Sequence, residues 1–440
     1  MSDRLKIAVL GAGSLSFGPG VLQDALLVHK LPGVELALVD GDEEAVYPMA
    51  DLGRRMAAKV KLDAAITAQV DRDAALAGAS YVICGPSELR AGQSATAANG
   101  VAGIAHSVRQ IGAILEICDD IKRLARPGAT LLNLMGPLPR VCQAAHEAGV
   151  PTVGFCSASL AAYGHLWAIL HDERFDYPFE APREQLDLSM AGLNGLTFAL
   201  DLWNHETGED LYPRLKEHAA AGRDGGQPVT ARLLLELGYF PSPGDGLLRD
   251  VLPPGQCPPP PPEAVFVPQP PVRRGFLFGR AAAAVAMDPE VERGRRLEVL
   301  RAAAAGQKPW GELLAWRGWE LPVDLIAAIA LNRATTFPAV NVANQQQFAS
   351  LPRNVFVEVP ATADGAGVRT PKLELPDALL PMLQRVAKLN DAIVRAARWR
   401  RRDLFDEAVE LDPTIEDKAA ARAALEQSLP DRTGVLSASA

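Results

Sequence analysis

Short apolar runs bounded by glycine alternate with helical periodicity through the first third of the chain. Residues 6–10 read KIAVL, too short for a helix and closed by Gly11, which predicts a buried parallel strand. A glycine-rich turn follows, then a helical stretch near residues 20–29, then VELALVD, a second strand ending at Asp40. Strand, turn, helix and strand within about 35 residues make one βαβ unit. Residues 43–60 predict a helix, 65–69 a third strand and 79–85 (ASYVICG) a fourth. A further helix closes at Pro127 and Gly128, ATLLNLMG opens another buried strand, and PTVGFC, ending at Cys156, supplies the next. Strands alternating with helices predict an α/β fold: a Rossmann-type, mostly parallel sheet with helices on both faces.

Past residue 175 the texture changes. LDLSMAGLNGLTFALDLWN has the length and alternation of antiparallel strands. The expected organisation is therefore a Rossmann-type domain over 1–175 and a second, α+β domain over 176–440. Residues 253–271 are dense in proline, with five in a row from Pro258. Proline lacks the N–H that a helix or an interior strand needs, so this stretch is expected to be an extended loop, either a surface excursion or a lid over the site. Helical patterns resume at 280–305 and 322–332, and again at 381–410, where Pro381 stands at the start.

Composition narrows the functional classes. The 440 residues are 48% hydrophobic and 22% charged, an ordinary globular profile. A net charge of −9 argues against nucleic acid or an anionic membrane as a non-specific partner. Five scattered cysteines with no CxxC pair suit a reducing compartment, and no long uninterrupted apolar run predicts a membrane span. A cytoplasmic location is expected.

GAGSLSFG, residues 11–18, stands where a phosphate loop belongs, after a strand and before a helix. Gly11 and Gly13 permit a tight turn and close backbone approach, and Ser14 and the N–H groups that follow face a pyrophosphate. Asp40, ending the second strand, is placed to accept from an adenosine ribose and to repel a 2′-phosphate, so NAD is the expected cofactor. Asn133 ends a strand at the carboxyl edge of the sheet, where cofactor and substrate meet.

Several further segments resemble glycoside hydrolase family 4, the NAD- and metal-dependent glycosidases. They are GVAGIAHSVRQIG at 100–112, VGFC ending at Cys156, AGLNG ending at Gly195, GEDLYPRL at 208–215, and VNVANQQQFASLPRNVFVEVP at 340–360. The resemblance implies hydrolysis outside the two-carboxylate scheme. Hydride leaves sugar C3 for NAD, a tyrosine removes the C2 proton, a divalent metal (usually manganese) steadies the enediolate, and the aglycone is eliminated. Water then adds and the hydride returns. It also implies a small glycoside or sugar as partner and a homodimer or homotetramer.

The chain departs from that pattern in the metal and sugar pocket. Cys156 matches the cysteine ligand, but Gly195 stands where the histidine ligand is expected, and Ser157 follows the cysteine. Met135-Gly136-Pro137 replaces Thr-Asn-Pro, and the segment carrying the family tyrosine falls near 247–251, without His or Tyr. Tyr212 and Tyr239 are the nearby tyrosines. Cys156 is thus either a soft metal ligand or a small buried thiol. His106 and Arg109, one helical turn apart, either contact an anionic or reacting part of the substrate or form a solvated face. His165 and His205 are candidate replacement ligands or bases, while Glu358 and Asn344 are expected to hold the second domain together. Three functions follow: a divergent NAD-dependent glycosidase, an NAD-dependent sugar dehydrogenase without glycosidic cleavage, or an NAD-binding regulatory protein without turnover.

Overall fold

The computed structural model describes residues 4–85, 99–171, 179–182, 185–242, 244–256, 264–269, 276–283, 289–314 and 320–428. The first half alternates as expected: β1 (Lys6–Leu10), α1 (Gly18–Leu22), β2 (Val34–Val39), α2 (Glu43–Lys59), β3 (Ala64–Gln69), α3 (Asp73–Leu76), β4 (Tyr81–Cys84), α4 (Gly100–Leu124), β5 (Thr130–Asn133), α5 (Leu138–Glu147), β6 (Thr152–Gly154) and α6 (Ala158–Leu170). A π-helical run, Gln23–Val28, carries α1 onward. The five strands β1–β5 are apolar where the sheet buries them; Ile7, Ala8, Val9, Leu36, Val82, Ile83, Leu131 and Leu132 are fully buried.

The second half adds β7 (Phe179–Pro182), β8 (Leu186–Leu193), β9 (Leu196–Asn204), α7 (Tyr212–Ala220), α8 (Pro228–Leu237), β10 (Phe240–Ser242), α9 (Asp245–Leu248), β11 (Ala264–Gln269), β12 (Phe276–Ala283) and α10 (Pro289–Ala304). Then come α11 (Gly311–Leu314), α12 (Pro322–Ala330), β13 (Thr335–Ala343), β14 (Phe356–Asp364), β15 (Gly367–Arg369), α13 (Leu380–Trp399), α14 (Arg402–Leu411) and α15 (Lys418–Ser428).

One sheet runs through both halves in the order β10-β9-β8-β14-β13-β6-β5-β4-β1-β2-β3, with β15 on β14. The stretch β6-β5-β4-β1-β2-β3 is parallel, and its order reverses between β1 and β4. A crevice opens at that switch point. From β13 outward the strands are antiparallel. The sheet therefore passes from its parallel to its antiparallel strands without a break. The last helices fold back on the first half: Leu389, Ile393, Leu404, Phe405 and Leu425 share a core with Ala8, Val82, Ile104 and Ile114. α4 has the length and apolar content of a membrane span, and here Ile104, Ile111, Ile114, Cys118 and Ile121 are buried in that core.

Three expectations are corrected. Residues 253–271 are not loop throughout: 264–269 form β11, which lies at the edge of a three-stranded sheet, β11-β12-β7, where Pro268 is tolerated. The five-proline run falls outside the described residues. The helix expected at 280–305 begins at Pro289, because Arg280–Ala283 end β12 and pair with Ala264–Val267. The helix expected at 381–410 is two helices, since Arg400 takes a left-handed conformation (φ 54°) and closes α13.

Candidate active site

The glycine-rich turn is built by backbone bonds to the neighbouring strand. Gly11 (φ 80°) and Ala12 both donate N–H to the Val39 carbonyl, at 2.9 and 3.0 Å. The Gly13 N–H donates to Asp40 Oδ2 at 2.9 Å, and the Asp42 N–H to Asp40 Oδ1 at 3.0 Å. A Cβ on Gly13 would lie 2.8 Å from Asp40 Cγ, so only glycine allows this approach. Ser14 is buried beside Ser16 (3.1 Å), and its carbonyl accepts from the N–H of Gly18 at the head of α1. Turn, carboxylate and helix start thus form one assembly of the kind that receives a pyrophosphate and a ribose.

Beside it lies a cavity of about 360 Å³ lined by Gly11, Asp40, Asp71, Arg72, Asp73 and Asp120, among others. Four carboxylates face one guanidinium there, and Arg72 is held by Asp120 (Nε to Oδ2, 2.7 Å). Such a field disfavours an added phosphate on the ribose. From the second half, α10 leans onto this end of the sheet: Arg293 pairs with Asp42, which also caps α2 by accepting the Glu44 N–H at 3.1 Å.

Asn133 does end β5 at the crevice, but it is fully buried. Its side chain accepts from Met135 N–H (3.2 Å) and donates to Met135 O (3.1 Å) and Cys142 Sγ (3.3 Å). This amide braces the turn leading into the cis Gly136–Pro137 peptide.

His106 and Arg109 do lie one turn apart on α4, His106 half-buried and Arg109 exposed, with no ion pair to Arg109 among the described residues. Burial, and then the charges of Arg109 and Arg140, hold the His106 imidazole below its ordinary value, so it is a neutral group near physiological pH. Arg140 itself escaped sequence reading. It is buried in α5 and donates to Asn390 Oδ1 and Ser107 Oγ, each at 2.8 Å, and to Asn99 Oδ1. Burial lowers its pKa to about 10, against the opposing pull of Asp412 and Asp250. Asn99, just before α4, also donates to the Asp250 carbonyl. That bond brings the 247–251 segment, where the family tyrosine is expected, to the head of α4. Arg249 in that segment donates Nε to Asp245 O at 3.3 Å and buries its Nη1 with no partner among the described residues.

Of the two tyrosines, the first is occupied elsewhere. Tyr212 donates to Ala199 O and accepts from Phe240 N–H (3.1 Å), stapling β9 to β10, and burial raises its pKa further from use as a base. Tyr239 packs edge-on against it at 6.3 Å. His205 pairs with Asp187 at 3.0 Å, at the opposite end of the β8–β9 hairpin from Gly195. His165 is buried beside Gly244, and burial takes its pKa down to about 3.

Among the described residues, the side chains around Cys156 do not make up a metal site. Cys156 is half-buried against Leu138, Cys142, Ala343 and Phe356. Leu193 pairs with Leu196, so Asn194 and Gly195 form a two-residue hairpin turn, with Gly195 at φ 84°. Glycine tolerates that left-handed conformation, in which a histidine would be strained. Asn194 donates to the buried Glu358 carboxyl at 2.6 Å, and Ser159 and Asn341 (3.3 Å) donate to it as well. Burial raises the Glu358 pKa, partly offset by these three neutral donors. Among the described residues no three His, Cys, Asp or Glu side chains converge as a metal site. Asn344 likewise braces its loop, donating to the carbonyls of Phe348, Leu351 and Pro352 at 2.9–3.0 Å.

Two family models match the chain: Family 4 glycosyl hydrolase over residues 6–98 and 86–171, and Family 4 glycosyl hydrolase C-terminal domain over 190–415. An α-glucosidase of Erwinia rhapontici is 26% identical over 450 residues, spanning 92% of this chain and 93% of that protein. An α-galactosidase of Bacillus subtilis is 26% identical over 433 residues, 93% of each. Among solved structures, a 6-phospho-α-glucosidase from gut microorganisms, in complex with NAD and Mn²⁺, superposes with a TM-score of 0.70 at 18% identity over 97% of each chain.

Proposed function

Because the chain belongs to glycoside hydrolase family 4, and because Asp40 and the glycine turn form a cofactor cradle, we propose that it is an NAD-dependent glycosidase-like enzyme acting on a small glycoside. The reaction is transient oxidation at sugar C3, elimination of the aglycone across C1–C2, addition of water and reduction back. The chemistry that bound NAD supplies is a reversible store for the C3 hydride. The observation that carries the cofactor half is the Gly13–Asp40 contact at 2.9 Å, which shapes the turn and sets a carboxylate beside the ribose position. Gly11, Gly13 and Ser14 line the pyrophosphate, and the acidic cavity favours NAD over its 2′-phosphorylated form.

In the sugar half, Arg109 orients the substrate through its exposed guanidinium, and neutral His106, half-withdrawn from water, accepts a proton. No step is assigned to a metal, since among the described residues no three His, Cys, Asp or Glu side chains converge. That same observation favours a second reading, a sugar dehydrogenase that stops after hydride transfer, because the elimination half is where the chain departs from its family. An NAD-binding regulator without turnover is the third. The protein is read as cytoplasmic, with a sugar and not nucleic acid or membrane as its partner, a reading that the net charge of −9 and the scattered cysteines support, and kinship with the family suggests a homodimer or homotetramer.

The test follows aglycone release and NADH absorbance together, with NAD, over α- and β-nitrophenyl glycosides and free sugars. NAD-dependent aglycone release without NADH accumulation supports the glycosidase. NADH accumulation without aglycone release overturns it in favour of the dehydrogenase. Silence in both, with NAD bound, leaves the regulator.

A further inference from the structure

The loop between β13 and β14 and the segment after β15 enclose a second cavity, of about 510 Å³, that shares no lining residue with the cofactor crevice. β13 runs antiparallel to β6, so this loop leaves the sheet on the side where the parallel strands begin, away from the glycine turn. Its walls are Asn344, Gln345, Gln346, Gln347, Arg353, Asn354, Thr370, Pro371 and Lys372: five amides, one hydroxyl, two cations and no carboxylate. The chain as a whole carries 53 acidic against 44 basic residues, and the cofactor cavity is lined by four aspartates. A carboxylate-free, doubly cationic cavity is therefore a local reversal of the protein's charge.

The walls are held in place from below. The Asn344 amide ties to three carbonyls of its own loop, and Phe348, Leu351 and Val355 anchor that loop in the core. Gln347 accepts the N–H groups of Gln345 (2.7 Å) and Gln346 (3.2 Å) and donates to Thr370 Oγ1 (3.0 Å), while Leu373 N–H donates to Gln347 O (2.8 Å). Loop and strand-end are thus stapled together. The side chains above this floor are uncommitted: Arg353 and Lys372 are exposed and make no ion pair among the described residues. Amides pair with hydroxyls as donor and acceptor alike, and a guanidinium beside an ammonium pairs with an oxyanion.

We propose that this cavity binds a small polyhydroxylated anion, of sugar-phosphate or sugar-carboxylate chemistry, at a site separate from the cofactor crevice. Its volume suits a ligand of one or two sugar rings. The experiment is calorimetric titration of the full chain, saturated with NAD, with glucose 6-phosphate, glucuronate, glucose and inorganic phosphate. One or both sugar anions bind, and raising the salt to about 0.5 M weakens them. The Arg353→Gln/Lys372→Gln double variant loses about ten-fold or more in that affinity while binding NAD as the wild type does. Arg109→Gln, which leaves this cavity untouched, keeps it. The proposal is overturned by equal affinity in the wild type and the double variant, or by loss in Arg109→Gln alone. Glucose binding as tightly as its phosphate, or inorganic phosphate binding as tightly as either sugar anion, overturns the ligand class. Which of the two sugar anions binds identifies the source of the charge.

Discussion

Asp40 reaches back across the sheet to accept the N–H of Gly13 at 2.9 Å, so the residue that ends the second strand shapes the turn that follows the first. Ribose recognition and phosphate-loop conformation are therefore one feature. Gly13→Ala would press a methyl group to 2.8 Å from Asp40 Cγ. We expect this change to weaken NAD binding at least about ten-fold, roughly 1.4 kcal/mol or more, because the turn must open to relieve the clash. Titration of NAD against wild type and variant decides it, and unchanged affinity would show that the turn is not the pyrophosphate site.

Manganese should find no home near Cys156. Purified protein is expected to carry no stoichiometric manganese by elemental analysis. Added Mn²⁺ should leave the melting temperature where it was, since no ligand bound means no linkage to stability. EDTA should leave NAD affinity unchanged. One equivalent of bound metal, lost in Cys156→Ser, would overturn this and bring the metal back into the reaction.

Arg140 gathers α4, α5 and α13 through Ser107, Asn99 and Asn390. Arg140→Ala strands these oxygens in the core, and the expected loss is about 3 kcal/mol in denaturant unfolding, with the slope unchanged. A loss under about 1 kcal/mol would mean that water replaces the guanidinium without cost.

Acid should destabilise the protein through His165. Its folded pKa is depressed to about 3 by burial, from an ordinary 6.5. The unfolded chain therefore takes up a proton that the folded chain refuses. The stability is fully present above pH 6.5 and falls as the pH drops towards 3, by about 1.4 kcal/mol per unit from this one group. Between pH 6.5 and 5, above the range of most carboxylates, urea midpoints of His165→Asn should fall less steeply than those of the wild type. Parallel slopes would exclude His165 as the source.

Local signals made the cofactor half readable. KIAVL, the glycines, VELALVD and Asp40 lie close in sequence, and each predicts its own conformation. The buried polar clusters are assembled from afar. Arg140 is buried in α5, and its partners stand 33, 41 and 250 residues away, a distance over which periodicity is silent. Glu358 meets Ser159 and Asn194 across a similar gap. Asn133 was readable as to place, and its bonds to Met135 and Cys142 were not, because they depend on the turn and helix that follow. At Arg280–Ala283, alanine-rich sequence favours helix, and pairing with β11 overrides that preference.

The return of α13, α14 and α15 onto the first half also bears on how the chain is made. During synthesis, β1 to β6 emerge and can pair, yet the part of this core that α13, α14 and α15 supply is missing until residues beyond 380 have left the ribosome. The nascent protein thus carries an oily, half-finished face through the greater part of its translation, and the last helices to appear are the ones that seal it.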